Sequence, residues 1–546
     1  MNATSDTAMT VSAHRDTFAR DNLPPPELQP AFLFDLPELQ YPSRLNCVVE
    51  LLDKMAAAHA ERIAIYGRDL RWTYADLLDR VDRICHVLRE DLQLVPGNRV
   101  LLRGANDPMM AACFLAVVKA GCIAVPTMPL LRSKELRAII EKAQIGAALC
   151  SQDLHGEMEA ACVGTGGAEM QMLYFNAAEA DALEQRMASK PAHFDAVDTA
   201  ADDICMIGFT SGTTGLPKGT MHYHRDILAI CDCFPRSTLA STADDIFIGT
   251  PPLAFTFGLG GLLLFPMRVG AATVLIEKMT PDMLLQSIQA FGATICFTAP
   301  TFYRQMAPLL QHYDLSSLKK TVSAGEALPL ATRDIWLQAS GLAMIDGIGS
   351  TEMLHIFISA AGDRIRPGAT GLPIPGYRAC ILDDDGNRVG PGIIGRLAVK
   401  GPTGCRYLAD PRQAAYVCNG WNVTGDAYRM DEDGYFWYCA RTDDMIVSAG
   451  YNIAGPEVEE ALLKHPAVAE CCVVGCDDAE RGQIVKAYIV PALEFDADTA
   501  LAKRLQEFVK KNIAPYKYPR AIEFCTELPR TETGKLQRYK LRSRLA

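Results

Sequence analysis

The densest chemistry in this sequence lies in Phe209-Thr210-Ser211-Gly212-Thr213-Thr214-Gly215-Leu216-Pro217-Lys218-Gly219. Thr210, Ser211, Thr213 and Thr214 offer hydroxyl donors, Gly212 and Gly215 let backbone approach a ligand closely, and Lys218 adds a mobile positive charge. These are the ingredients of a phosphate cradle. The common G-x-x-x-x-G-K-[ST] loop is excluded, because Pro217 stands where that motif needs its second glycine. A carboxylate beside small residues recurs in Ser323-Ala324-Gly325-Glu326-Ala327-Leu328-Pro329 and in Asp346-Gly347-Ile348-Gly349-Ser350-Thr351-Glu352. Glu352 is suited to hold magnesium on a triphosphate. Thr424-Gly425-Asp426 and Arg441-Thr442-Asp443-Asp444 supply a carboxylate and a guanidinium that can grip a ribose. Arg530-Thr531-Glu532-Thr533-Gly534-Lys535 stands in a basic tail with Arg538, Lys540, Arg542 and Arg544. Singly, each reads as a turn with a solvated acid, a surface ion pair or a solvated basic tail. Their order along one chain carries the weight.

Alternating helical and strand patterns must position these residues. Residues 204–209 are a short apolar run that predicts a buried strand leading into the hydroxyl loop. Upstream, 45–59, 74–88 and 108–119 read as helices and 63–66, 100–103 and 123–125 as strands. That alternation implies an α/β fold with helix-covered parallel sheets. A second run of the same kind extends from about Asp202 to about Pro375. Residues 376–440 change to short β-rich pieces, a small β-barrel-like part, and the last hundred residues form a separate small α+β unit. There, 456–464 reads as a helix with proline at its start, 468–474 and 487–490 as strands, and Leu501, Leu505, Phe508 and Val509 as an apolar helical stripe. The first 40 residues, with Pro24-Pro25-Pro26, read as an extended arm.

A chain of 546 residues exceeds what one core usually serves. Net charge of −12 argues against a general binder of nucleic acid or anionic membranes, so a polyanionic ligand must meet a local basic site. Eighteen scattered cysteines and the absence of an apolar leader after Met1 favour a reduced, cytoplasmic setting. The apolar stretches 109–131 and 253–276 are broken by Lys119, Pro126, Pro129, Pro266 and Arg268, and read as core rather than membrane spans. His222, His224, Cys231 and Cys233 have no recognised zinc spacing.

In this order, the five motifs resemble those of the adenylate-forming superfamily of acyl-CoA synthetases, peptide-synthetase adenylation domains and luciferases. The resemblance runs from about Leu45 to the C-terminus. It implies a large N-terminal domain, 1–442, that binds ATP and substrate, and a small mobile C-terminal domain, 443–546, hinged near Asp443. A carboxylate would attack the α-phosphorus of MgATP, giving an acyl-adenylate and pyrophosphate, and a thiol would then displace AMP. Thr210, Ser211, Gly212, Thr213, Thr214, Gly215 and Lys218 would cradle phosphates. Gly325, Glu326, Ala327, Asp346, Gly347, Ser350 and Thr351 would line the nucleotide cleft, with Asp426 and Arg441 on the ribose. Glu352 would hold magnesium, Lys535 would bridge carboxylate and α-phosphate, and Gly450 would line the thiol tunnel.

Pro252-Leu253-Ala254-Phe255-Thr256-Phe257-Gly258-Leu259-Gly260-Gly261 matches the family's substrate-pocket motif, with Phe255 where many members have histidine. No aspartate for an amino-acid ammonium is present, and Phe255, Phe257 and the glycines suit a flat apolar acid. The run from Asp346 to Phe357, with Gly349 and His355, resembles benzoate-CoA ligases, where the equivalent of His355 lies beside the aryl carboxylate. The N-terminal arm further resembles 2-aminobenzoate-CoA ligases. The implied partner is a small aromatic carboxylic acid, with a homodimer left open. Few residues follow Lys535, which favours coenzyme A as the thiol over a fused carrier domain. Gly450-Tyr451-Asn452-Ile453 has asparagine where many CoA ligases have a base, so the CoA phosphates would rely on groups such as Lys486 or Arg481. Transfer to a separate carrier protein is the alternative. A nucleotide-binding regulator without turnover should lack Lys535 or Glu352, and both are present. Lys535→Ala is expected to slow adenylation by about 10²–10³ while sparing thioester formation from a supplied adenylate. Equal losses in both half-reactions, measured separately, would contradict the role.

Overall fold

The computed structural model describes residues 11–163, 170–210, 217–448, 451–478, 481–530 and 536–543. Two helix-covered sheets dominate. The first runs, in spatial order, Gln171–Phe175, Ala147–Ser151, Arg99–Arg103, Ile123–Thr127, Ile204–Thr210 and Lys218–Tyr223. Its strands are parallel until the last, which turns back antiparallel on Ile204–Thr210 and sets Thr210 opposite Lys218. The second sheet has nine strands, parallel through its middle and closed by antiparallel strands at both ends. Its Met344–Gly349 strand carries the acidic site motif.

Helix Pro108–Lys119 is buried on every side, which its apolar composition demands. Asp107 caps it by accepting from the Met110 N–H, with proline in the first turn. The stretch 253–276 is likewise mostly interior. Among the described residues, no helix is long and apolar enough to cross a membrane.

An antiparallel five-stranded sheet, from Arg378–Leu382 to Phe436–Arg441, occupies the place of the small barrel-like part. From Met445–Ser448 onward the strands join another sheet with its own core of Ile446, Val458, Val473, Ile489, Leu501, Leu505 and Val509. Helix Gly455–Leu463 and helix Thr499–Asn512 pack there, and Phe508 sits edge-on to His465 at 5.0 Å. Strand Val468–Asp478 runs four residues beyond the predicted end, because pairing with Gly482–Pro491 continues through polar Asp477 and Asp478, where hydrophobicity gives no signal.

The described part of the N-terminal arm, from residue 11, is extended between a turn of α-helix at Phe18–Asp21 and two short 3-10 turns, yet docked. Asp16 pairs with Arg99, Ser12 donates to Asp203, and Phe32 bridges Gly401. Arg406 lies against the rings of Phe32 and Tyr223, at 4.3 and 3.8 Å. Its Nη1 donates to Asp226 Oδ2 at 2.8 Å, both side chains fully buried. Burial alone would raise the Asp226 pKa, but Arg406, His222 and Arg225 together hold it at about 2. Breaking one partner of a buried pair leaves an uncompensated charge, so Arg406→Met is expected to lower the unfolding free energy by about 3–5 kcal/mol. The depressed carboxyl stabilises the fold above its unfolded pKa of about 3.9 and loses that contribution as pH falls toward its folded value. Denaturation midpoints of wild type and variant should therefore converge as pH drops from about 4 to about 2; a gap that stays constant over that window would contradict the assignment.

Candidate active site

The antiparallel return after Ile204–Thr210 brings the first half of the site together. Thr210 ends that strand with its Oγ1 buried and without a partner among the described residues, and Lys218 opens the facing strand. Ser211, Gly212, Thr213, Thr214 and Gly215, with Gly450 and Lys535, lie outside the described residues. Lys218 Nζ donates to Tyr407 Oη at 2.9 Å, and Tyr407 in turn donates to Glu352 Oε1 at 2.5 Å. The direct Lys218–Glu352 separation is 3.6 Å. Burial and the neighbouring Glu352 carboxylate push the Tyr407 phenol pKa far up, so it stays a proton donor. The structure thus joins two predicted residues through a third that the sequence reading missed. A lone tyrosine in Gly404-Cys405-Arg406-Tyr407-Leu408 belongs to none of the motifs recognised above.

The loop of Ser350, Thr351 and Glu352 is held from behind. Ser350 Oγ accepts from the Met353 N–H at 3.2 Å, and His222 Nε2 donates to the Thr351 carbonyl at 2.9 Å. His222 Nδ1 lies 3.9 Å from the buried Asp226. Gly347 and Gly349 lie on the strand leading to this loop, together with Asp346, whose Oδ1 has no partner. Desolvation raises the Asp346 pKa to about 7 against the pull of Arg333. Gly325 and Ala327 are exposed in the turn after Lys320–Ser323. Between them Glu326 accepts from Thr301 Oγ1 at 2.7 Å and from the Thr301 N–H, so it braces the start of helix Pro300–Met306.

Asp426 and Arg441 face one another across adjacent strands, with Nη1–Oδ1 at 2.9 Å. Burial raises the Asp426 pKa although Arg441 opposes it. A Cβ at Gly425 would lie 2.6 Å from Arg441 Nη2, so a side chain there would push the guanidinium aside.

On the apolar side, Phe255 precedes the short helix Thr256–Leu259 and remains partly accessible, as do Thr256 and Phe257. Gly258 packs tightly on the backbone of Pro251 and Pro252. His355 is 2% exposed and lies among Phe265, Phe257, Phe234 and Phe297, with ring centroids at 4.5, 5.8, 5.9 and 6.5 Å. Neither ring nitrogen has a side-chain or backbone partner meeting hydrogen-bond geometry. A Cβ at Gly260 would lie 2.4 Å from His355 Cδ2, so that glycine makes the imidazole's seat. Phe234, Phe265 and Phe297 are scattered through the sequence without a shared motif, and pattern reading passed over them.

The predicted thiol-side cations fare differently. Lys486 is committed to Glu523 at 2.8 Å, whereas the Arg481 side chain is exposed. His224 is drawn toward Cys47 and Cys205 rather than Cys231 or Cys233, with ligand atoms within 4.8 Å of one another. Its Nδ1 already accepts the Cys47 N–H at 3.2 Å, and no fourth thiol, imidazole or carboxylate joins them among the described residues. This is a hydrogen-bonded core cluster.

Residues 52–407 match the AMP-binding enzyme family, and 457–535 match the AMP-binding enzyme C-terminal domain. A benzoate–CoA ligase of Thauera aromatica is 35% identical over 514 residues, 93% of this chain and 97% of that protein. The chain belongs to the acyl-CoA ligases of the AMP-binding, adenylate-forming family. Among solved structures, an anthranilate CoA ligase in complex with anthranoyl-AMP is 33% identical, with a TM-score of 0.86 over 93% of this chain and 99% of that one. A benzoate CoA ligase from Burkholderia xenovorans LB400 is 31% identical, with a TM-score of 0.83 over 91% and 100%.

Burial lowers the His355 pKa to about 3. In this ligase the ring is expected to stay neutral, its NMR signals flat between about pH 5 and pH 8. A titration step near the ordinary histidine pKa would mean that solvent reaches the ring.

Proposed function

We propose that this acyl-CoA ligase activates an aromatic carboxylate of the benzoate or 2-aminobenzoate (anthranilate) type with ATP and transfers it to coenzyme A in the cytoplasm. The observation that carries the aromatic acid is the phenylalanine enclosure of His355, three residues beyond Glu352. A flat apolar ring fits such a wall, and a chain of sp³ carbons gains less from it. Similarity to benzoate and anthranilate CoA ligases supports the same reading.

In the first half-reaction a carboxylate oxygen bonds to the α-phosphorus of ATP, and the bond to the β-phosphate oxygen breaks, releasing pyrophosphate. The task for the protein is to align two anions and neutralise their charge. Lys218, Thr210 and residues 211–215 are assigned to the phosphates, Asp426 and Arg441 to the ribose. Asp346, Gly347 and Gly325 to Ala327 are assigned to the nucleotide cleft, Glu326 acting there through its hold on Thr301. A magnesium ion would be held by Glu352, a hard carboxylate ligand whose Oε2 takes no partner among the described residues, and would supply charge neutralisation on the triphosphate. Neutral His355 provides no counter-charge, which leaves that part to Lys535. Phe255, Thr256, Phe257, Gly258 and Gly349 would wall the acid. In the second half-reaction the CoA thiolate bonds to the acyl carbon and AMP leaves. A movement of residues 443–546 against 1–442 would bring Gly450 to the thiol path.

Loading of a separate carrier protein is the second reading, favoured by Asn452 in place of a base and by the engagement of Lys486 with Glu523. The test incubates enzyme with MgATP, CoA and a panel of acids, followed by mass spectrometry. AMP with an aryl-CoA is the expected product. Because an apolar pocket separates close isosteres by only about 10²-fold, benzoate and its ring-substituted forms should all react. Adenylate and pyrophosphate without thioester would favour the carrier protein, and no turnover of any aromatic acid would overturn the pocket assignment.

A further inference from the structure

We propose that Tyr407 is a positioning residue that keeps Lys218 and Glu352 apart, so that the carboxylate remains available to a divalent cation and the ammonium to phosphate. The inference rests on the adenylating function proposed above. It starts from the donor count. A phenol oxygen has one hydrogen to give and lone pairs to accept with, whereas an ammonium can only donate. At 2.9 Å, Lys218 Nζ must therefore be the donor to Tyr407 Oη, and the phenolic hydrogen goes to Glu352 Oε1. The chain Lys218 to Tyr407 to Glu352 thus has one direction.

Two consequences follow. Oε1 of Glu352 is occupied by the phenol, which leaves Oε2 as the oxygen facing a cation. The ammonium stands 3.6 Å from the carboxylate rather than in direct contact. Without the phenol, Lys218 and Glu352 would close to the usual charge-assisted distance of about 2.8 Å. Each would then neutralise the other, and both would lose what the triphosphate end of the site needs from them.

The phenol is fixed well enough to act as a spacer. Tyr407 is 1% exposed, its N–H donates to Gln413 Oε1 at 2.8 Å, and its ring meets Tyr416 edge-on at 5.8 Å. Its backbone bridges Thr220, and the next residue donates to the Gly219 carbonyl at 2.8 Å, so it is tied to the strand that carries Lys218. Gln413 Nε2 donates in turn to the Leu28 carbonyl of the N-terminal arm at 2.8 Å.

The experiment measures ATP affinity by calorimetry, with magnesium and with EDTA, in wild type, Tyr407→Phe and Glu352→Gln. The full chain is used, and folding is checked by near-ultraviolet circular dichroism. Magnesium should tighten ATP binding to wild type, and Tyr407→Phe should erode that magnesium-dependent gain by about 10- to 100-fold, the usual effect of losing a group that orients a metal ligand. In a Glu352→Gln background, Tyr407→Phe should change the magnesium-dependent gain no further, because the two residues act as one unit. Gln413→Ala should shift the gain in the same direction by less, and it carries the test if the phenylalanine variant does not fold. A magnesium-dependent gain untouched by Tyr407→Phe, or equally reduced in the Glu352→Gln background, overturns the inference while leaving the adenylating function standing. A wild-type chain that exchanges pyrophosphate into ATP with none of the acids overturns that function, and the inference with it.

Discussion

Asp226 and Arg406 lie 180 positions apart in the sequence and share a fully buried hydrogen bond of 2.8 Å. On one side of it, Asp226 belongs to the helix that follows Lys218–Tyr223, the strand returning from the hydroxyl loop. On the other, Arg406 immediately precedes Tyr407. The pair therefore sets where the phenol meets Lys218 and Glu352, and neighbouring His222 reaches the Thr351 carbonyl from the same cluster. Desolvating two ions is costly, and such a pair persists where its partners are well aligned. Here the alignment comes from aromatic rings against the guanidinium and from backbone pairing on both sides.

Around that anchor the site divides into two environments. One end, among the described residues, gathers Thr210, Lys218, Tyr407 and Glu352. The other is an apolar box in which the single polar ring is driven neutral by burial. Charge placed in a low-dielectric setting acts strongly on nearby ions. Under the proposed function, separation of the two ends would let the nucleotide meet cations while the acid's ring meets carbon. The Asp426–Arg441 pair stands on strands of the five-stranded sheet, so under the proposed function nucleotide and acid would be gripped by different layers of the fold.

Local features were legible in the sequence, and long-range ones were not. The apolar run at 204–209 announced its strand, the pattern over 108–119 announced its helix, and the alternation of patterns announced parallel sheets. Asp426 and Arg441 could be suspected as partners because both motifs stand near ribose-binding chemistry, and the register of their strands brings them together. Tyr407, Arg406, Asp226 and three of the phenylalanines about His355, Phe234, Phe265 and Phe297, carry no local signature. Their meaning arises only from contacts distant in sequence, from 55 residues between Tyr407 and Glu352 to 180 between Arg406 and Asp226. Helix and strand ends drifted where pairing, rather than hydrophobicity, set the limit, as in Val468–Asp478.

The docked arm bears on how the molecule comes into being. Phe32 finds its backbone partner at Gly401, and Ala31 finds its own at Gly420. At a synthesis rate of ~5–20 residues per second, the arm waits on the order of 20–80 s on the ribosome before those partners exist. During that interval Arg225 can already meet the rings of Phe32 and Phe34, whereas Arg406 and its contact with Phe32 do not yet exist. Loop-closure entropy must be overcome before such distant pairs form, so the arm is fastened in stages: Asp16 and Ser12 can pair early with Arg99 and Asp203, whereas Ala31 and Phe32 take their backbone partners late.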